Sequence, residues 1–355
     1  MLSRVAESMF WMSRYIERAE NTACFLDVNY HLSLDLHQVS GGESLDYWES
    51  LIQVTGEQDR FQKLYEGYDS NSVTDFLLFN PTNPSSISSC IALARENARS
   101  SVEALSSEIW EGINNLYHFV LQADPAEVRG DPFSFCRAVK IGSQLFQGGA
   151  DATLLRNEGW DFVQLGKYLE RADNIARLVD VKYDLLSPSD GASNEAQDVI
   201  LWMSVLKSCS ALEAFRKVHL SRLDPEGILG FLVLERSFPR SILYSIAAAE
   251  KALWHVSGSS HGRFSSNADR LIGKLESELS YVSVDDLVGE LRPFLVELEQ
   301  QLKQIGEQIH QTYFAYQGAD VEIAEGGIPL RFLGLVSGRP NWRHAEQQQQ
   351  QEGPR

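Results

Sequence analysis

One helical segment occurs twice in this chain. Ser13 to Val28 reads Ser-Arg-Tyr-Ile-Glu-Arg-Ala-Glu-Asn-Thr-Ala-Cys-Phe-Leu-Asp-Val, and Gly166 to Val181 reads Gly-Lys-Tyr-Leu-Glu-Arg-Ala-Asp-Asn-Ile-Ala-Arg-Leu-Val-Asp-Val, offset by 153 positions (14 to 167). A duplicated segment implies a duplicated supersecondary unit, which limits the folds available far more than composition does. Met9, Met12, Ile16, Ala19, Ala23, Leu26 and Tyr30 form one helical stripe. Phe162, Leu165, Leu169, Ala172, Ala176, Val179 and Tyr183 repeat it. Spacings of three and four place such residues on one helix face, so both copies bury the same side.

The polar residues of the repeat lie opposite. Arg14, Glu17, Arg18 and Asn21 follow i, i+3, i+4, i+7, and Lys167, Glu170, Arg171 and Asn174 do the same. Charge runs of this kind ordinarily face water. Two details point elsewhere. Phe25 and Leu178 continue the stripe one turn on, beside Val28 and Val181, so the polar side also becomes apolar. Arg14 and Arg18, like Lys167 and Arg171, are same-sign neighbours at i and i+4, which costs a few tenths of a kcal/mol unless an anion stands between them. That anion is supplied either by Glu17 and Glu170 reaching across between the two helices or by an external carboxylate or phosphate. The first reading is a structural ion-pair network and the second a ligand site; in the first, Glu17 faces Arg171 and Glu170 faces Arg18.

Helical patterns run through the rest of the chain. Ser3 to Val39 contains no Pro or Gly, which predicts one helix roughly 55 Å long at about 1.5 Å per residue. Further helices are predicted over Asp46–Tyr65, Asp69–Phe79, Ser85–Ala123, Pro132–Phe146, Asp161–Leu186, Glu195–Val218, Pro239–Val256, Asn267–Tyr281 and Val284–Tyr316. Turn chemistry separates them at Gly41-Gly42, Asn80 to Pro84, Asp124-Pro125, Gly148-Gly149, Ser187 to Gly191 and Gly258 to Ser260, with no alternating strand pattern between. The expected class is all-α, a multi-helix bundle with two pseudo-symmetric Glu-Arg helices. The expected organisation is a single domain over about 1–320, in halves of about 1–150 and 151–320. A tail over 336–355 with the run Gln347 to Gln351 has a disordered composition.

Charge and composition narrow the function. With 31 Lys and Arg against 49 Asp and Glu the formal charge is −18, which repels phosphate backbones and disfavours nucleic acid. No stretch approaches the roughly 20 apolar residues of a membrane span, and no secretory leader pattern opens the chain. Cys24, Cys90, Cys136 and Cys209 have no paired spacing and suit a reducing cytoplasm. A hydrophobic fraction of 43% supplies a continuous core without disulfides.

At the repeat the chain resembles the bacterial Alpha-E family, over about Met1 to Tyr316. The residues that carry the resemblance are Trp11 to Asn21 (Trp-Met-Ser-Arg-Tyr-Ile-Glu-Arg-Ala-Glu-Asn), Ala94 to Arg99 (Ala-Arg-Glu-Asn-Ala-Arg), Leu165 to Asn174, and Ser237-Phe238-Pro239-Arg240-Ser241. Lys167 stands where Arg is commoner, and Glu235-Arg236 precedes the Phe-Pro-Arg segment where Asp is expected; lysine lacks the bidentate fork of arginine. The resemblance implies a helical fold and genomic company: a circularly permuted ATP-grasp ligase and a transglutaminase-like peptidase, in a proposed peptide- or amide-forming or modifying system. It implies no mechanism for this part of the system.

The remaining motifs are weighed residue by residue. Arg95 and Arg99 repeat the i, i+4 like-charge spacing, and Arg236 and Arg240 flank Phe238-Pro239, where Pro most simply opens a helix. Arg14, Arg18, Asn21, Arg95, Arg99, Lys167, Arg171, Asn174 and Arg240 are therefore the candidate anion- or substrate-binding set, if they converge. Gly148-Gly149 with Asp151 and Thr153 makes either a turn or a small backbone nest. Trp160 and Phe162 read as core. Glu307 and His310 have the Glu-x-x-His spacing of carboxylate-bridged metal bundles but lack the second copy such a site needs. No metalloprotease, phosphate-loop, nucleophile-elbow or dinucleotide motif is present, so no metal or cofactor is implied. Two functions follow: a non-catalytic partner that binds a peptide or the ligase, or an enzyme of the same pathway in which Glu17 and Glu170 serve as acid and base while Arg18 and Arg171 hold an anion.

Overall fold

A computed structural model describes residues 1–40, 47–186, 195–219, 223–260, 262–315, 323–324 and 328–329. The expected breaks at Gly41-Gly42 and Ser187 to Gly191 and the tail over 336–355 lie outside the described residues. The fold is all-α. Its helices are α1 (Ser3–Ser40), α2 (Tyr47–Thr55), α3 (Gln58–Gln62), α4 (Ser70–Leu78), α5 (Ile87–Ser100), α6 (Ser107–Gln122), α7 (Pro125–Gly130), α8 (Pro132–Thr153), α9 (Glu158–Leu186), α10 (Glu195–Ser208), α11 (Leu212–Val218), α12 (Pro225–Leu234), α13 (Ile242–Ser257), α14 (Asn267–Tyr281), α15 (Val284–Gly289) and α16 (Leu291–Ile309). One two-residue antiparallel pair, Ile323–Ala324 with Ile328–Pro329, is the extended structure among the described residues.

The long helices α1 and α9 lie side by side at the centre, and the rest is arranged about them twice over. α1 packs on α5 and α8 with α6 bridging those two; α9 packs on α13 and α16 with α14 bridging those two. The connecting helices cross over, since α2 of the first half packs chiefly on α9 while α10 of the second packs chiefly on α1. Local chemistry repeats as well. Ser86 caps α5 by accepting from the Ser89 N–H, and Ser241 caps α13 by accepting from the Tyr244 N–H. The α2–α3 turn holds Gly56 at φ +70°, and the α10–α11 turn holds Ser210 at φ 51°. Phe61 meets Phe76 edge-on at 5.2 Å, and Phe215 meets Phe231 edge-on at 5.5 Å. The duplication thus spans both halves, although only the central segment is legible in the sequence.

Both apolar stripes are buried, with Tyr30 and Tyr183 partly so. Several expected boundaries move. Asp46–Tyr65 is divided at Gly56 and Glu195–Val218 at Ser210, because a left-handed residue turns the chain out of the helix. Ser85–Ala123 is divided over Ser101–Ser106, where Ser101 leaves helical geometry and Ser106 caps the next helix. Val284–Tyr316 is divided at Glu290 and ends in a π turn over His310–Phe314. Gly148-Gly149 is neither turn nor nest: α8 runs through both to Thr153. Pro239 does not open a helix, since α13 starts after Ser241, while the apolar run from Ile228 forms α12, unforeseen because it is short and apolar on all sides. No helix among the described residues is long and apolar enough to cross a membrane.

The central pair touches closely at Gly166. A Cβ built there would stand 2.3 Å from the backbone oxygen of Phe10 on α1. Gly166→Ala should therefore destabilise the protein by about 1–3 kcal/mol, as overpacking does, despite alanine's better helix propensity. Gly112→Ala in α6, with open space at its Cβ, should instead add about 0.5–1 kcal/mol. Urea denaturation of both variants reads the contrast. A second prediction concerns Glu250, buried on α13, where burial and then the neighbouring Glu276 and Asp269 push its carboxyl up to about 7. The folded state holds that proton more tightly than the unfolded state, so stability falls as pH rises from about 4.5 through 7. Glu250→Gln should leave stability unchanged near pH 4 and raise it by about 1–3 kcal/mol at pH 8, measured by denaturant melts across pH.

Candidate functional site: the seam between the repeated helices

The polar stripes of α1 and α9 face one another. Arg171 donates Nε and Nη2 to Glu17 at 2.7 and 2.9 Å, and Arg18 donates Nε and Nη2 to Glu170 at 2.5 and 3.0 Å. Each helix gives one carboxylate and receives one in a bidentate fork, the strongest planar geometry for such a pair. The exchange expected between Glu17 and Arg171 and between Glu170 and Arg18 is what the structure holds. It is buried, with Glu17 and Glu170 each 1% exposed. Arg14 adds Nε to Glu170 at 2.7 Å while its guanidinium lies 5.0 Å from the Trp11 ring centroid, so one carboxylate stands between the like charges at i and i+4.

The second half of the exchange is completed differently. Lys167, the counterpart of Arg14, does not clamp Glu17; its amine lies over the Tyr168 ring at 4.4 Å, and burial, with Arg171 nearby, lowers it to about 8. Its place is taken from the segment just before α13. Arg240 sits 3.6 Å from Glu17, donates to Glu20 at 2.6 Å and reaches Asn21 at 3.3 Å. Gln147 of α8 donates to Glu17 at 3.0 Å and to Glu20 at 2.9 Å, and Arg171 reaches back to the Pro239 carbonyl at 3.1 Å. Asn174 donates to the Glu170 backbone carbonyl at 2.9 Å. Arg14, Arg18, Asn21, Arg171, Asn174 and Arg240 therefore converge with Glu17 and Glu170, and Lys167 lies beside them without an ion pair among the described residues.

Arg95 and Arg99 do not join the set. Arg95 donates to Asn114 at 2.8 Å and covers the Tyr117 ring, and Arg99 pairs with Glu96 on the surface, because that face of α5 is turned toward α6. Arg236 donates to the Ser280 carbonyl. His310 opens the π turn with its ring 6.0 Å from Phe314, and no group of His, Cys, Asp and Glu among the described residues has a metal-holding arrangement. Phe162 is core, whereas Trp160 is stacked under Arg156 at 4.2 Å. Reading the sequence did not single out Gln147, Glu20, Glu57, Ser85 or Arg177; of these only Glu20, matched by Asp173, carried a signal, as an acid repeated in both copies.

The two ends of the seam differ in access. At the Glu17 end the side chains of Arg240 and Gln147 pack against the carboxylates of Glu17 and Glu20. At the Glu170 end a cavity of about 550 Å³ opens, with Glu170 and Arg18 in its wall. The wall also takes in Thr22 and Phe25 of α1, Asp173, Asn174 and Arg177 of α9, the α2–α3 turn with its flanks, and Ser85. Glu57 of that turn accepts from Arg60 at 2.9 Å and from the Ser85 hydroxyl at 3.2 Å. Burial alone would raise the Glu170 carboxyl, but Arg18 and then Arg14 outweigh it and hold the group at about 2.

A family model described as "a predicted alpha-helical domain with a conserved ER motif" matches residues 1–314. The chain belongs to the Alpha-E family. An uncharacterized protein of Mycobacterium bovis is 22% identical over 338 residues, and one of Mycobacterium tuberculosis strain H37Rv is 23% identical over 341 residues. Each match covers 89% of this chain but only 37% of the relative, so the chain spans little more than a third of the length of the curated relatives it matches. No solved structure matches it.

The seam carries its own prediction. Arg18→Ala should cost about 3–5 kcal/mol, because it strands a buried carboxylate with one remaining cation. Glu170→Ala should cost as much, by leaving Arg14 and Arg18 without their shared anion. A denaturant double-mutant cycle of the two should show a coupling of at least about 1 kcal/mol, and a coupling of zero would mean the pair contributes nothing as a pair. The contribution of Glu170 should be complete above pH 4.5 and fade as pH falls toward 2.

Proposed function

We propose that this Alpha-E protein is a non-catalytic binding component of an ATP-grasp-linked system that forms or modifies peptide or amide bonds in the cytoplasm, and that it engages a peptide, the ATP-grasp ligase, or both, with a transglutaminase-like peptidase as the further partner. In this reading Glu17-Arg18 and Glu170-Arg171 are the family's ER motif. The observation that carries it is the closure of both carboxylates by bidentate arginine at a seam of which one end opens to a cavity. A general acid or base works best with a pKa near the operating pH, and a Glu170 held at about 2 beneath two guanidiniums is a poor base. The enzymatic alternative, with Glu17 and Glu170 as acid and base, draws on one observation, that the cavity wall includes Glu170 and Arg18. The four cysteines are free and buried, which agrees with a reducing compartment.

Co-purification tests the partnership. The chain, tagged and expressed from its native locus, should retain the product of an ATP-grasp gene in its neighbourhood through washes at about 0.15 M salt, where surface charge pairs are already screened. Loss of both the ligase and the peptidase at low as well as high salt would reject a stable complex. Glu170→Gln separates binding from catalysis: in the reconstituted system a binding role predicts a raised KM with kcat within about threefold, whereas loss of kcat by a factor of 100 or more would favour the enzyme.

A further inference from the structure

The cavity lies where the internal duplication is broken. Its walls correspond, position by position, to those of the closed Glu17 end: Glu170, Asp173 and Asn174 repeat Glu17, Glu20 and Asn21. Aligning the Ser86 and Ser241 caps places Ser85 where Arg240 stands. Aligning the Gly56 and Ser210 turns places Glu57 opposite Ala211 and Arg60 opposite Ala214. On the central helices Arg177 stands where the other copy has Cys24. The closed end receives its guanidinium from across the gap, from the segment preceding α13, and that side chain fills the space. The open end receives one from within α9, where Arg177 pairs with Asp173 at 3.1 Å, and the gap facing Ser85 stays empty.

The charges around the gap are balanced. Arg18, Arg60, Lys63 and Arg177 line it with Glu57, Asp59, Glu170 and Asp173. Arg18 pairs with Glu170, Arg60 with Glu57 and Arg177 with Asp173, so a ligand with net charge would upset the balance of a partly buried site, whereas one carrying both signs keeps it. Arg177 commits Nη2 to Asp173, and its Nε is buried with no acceptor among the described residues. Such an orphan donor calls for a carboxylate or carbonyl oxygen. A volume of 550 Å³ is within the range of small-molecule sites.

We infer that the cavity between α9, the α2–α3 turn and Ser85 binds a small zwitterion, an amino acid or short peptide. Arg177 receives the carboxylate, and Asp173 and Asp59 the ammonium group. The inference rests on the binding reading above and deepens it by naming the ligand class.

Titration calorimetry on the full chain tests it with leucine, leucyl-leucine and trileucine against N-acetyl-leucyl-leucine amide, agmatine and inorganic phosphate. At least one of the three zwitterions should bind one-to-one with Kd below about 1 mM, and the capped dipeptide, agmatine and phosphate at least about tenfold more weakly. The free amino acid and the peptides differ only in length, so their ranking separates those two sources. No binding by any zwitterion, or equal binding by the capped dipeptide, agmatine or phosphate, would overturn the proposal. The combined change Ser85→Arg with Arg177→Cys transplants the closed end's arrangement at constant charge and should abolish binding with an unchanged melting temperature. Should that variant not fold, Asp173→Asn should weaken binding at least about tenfold, and full affinity in it would place the ligand elsewhere. These titrations do not involve the ligase, so the partnership and the ligand assignment stand or fall separately.

Discussion

Two buried glutamate–arginine forks, traded between parallel stretches of the same repeated helix, set the terms for the rest of this molecule. Ionised groups removed from water are costly, and they are tolerated here because each carboxylate meets a guanidinium in planar register and a second cation besides: Arg14 for Glu170, Arg240 for Glu17. That geometry requires α1 and α9 to lie close and in fixed register, which Gly166 permits by presenting no side chain to the Phe10 carbonyl. The helices flanking α1 and α9 then bury the apolar stripes on the other side, so both helices are enclosed over most of their circumference.

Reciprocity also explains why the two halves are not independent. Each half contributes a central helix whose charged face is unsatisfied alone, and each sends its connecting helix, α2 or α10, across to the other's central helix. A single half would expose a row of like charges without the carboxylate or guanidinium that the other half supplies. The association of the halves is therefore part of folding, and the contact between them is more polar than an ordinary core while being as deeply buried.

Exact duplication would give two equivalent ends to the seam, and the chain has diverged so that it has one closed end and one open. The divergence involves few residues. Arg240 and Gln147 fill one end, while Ser85 is too small to fill the other and Glu57, Arg60 and Arg177 make its wall more highly charged. Arg240 occupies one gap and pairs there with Glu17 and Glu20, whereas Ser85 leaves the corresponding gap as a cavity lined with charge.

The helical class, the duplication and the buried stripe were legible in the sequence, because helical periodicity is a local property that needs no knowledge of the fold; the i, i+4 clash of like charges called for an anion, with the pairing of Glu17 with Arg171 and Glu170 with Arg18 as one of two ways to supply it, and the structure holds that one. Element ends were less so: Gly148-Gly149 reads as a turn, yet packing carries α8 through it, and Ser210 reads as helical until its left-handed backbone is seen. Arg95 and Arg99 carry the same spacing as Arg14 and Arg18 but face α6, a difference of helix orientation that spacing cannot encode. The inequality of the two ends belonged to tertiary structure alone. Ser85, Glu57 and Arg177 are scattered over more than a hundred positions, and only the crossing of α2 onto α9 brings them to one wall, where what matters is the volume that no side chain fills.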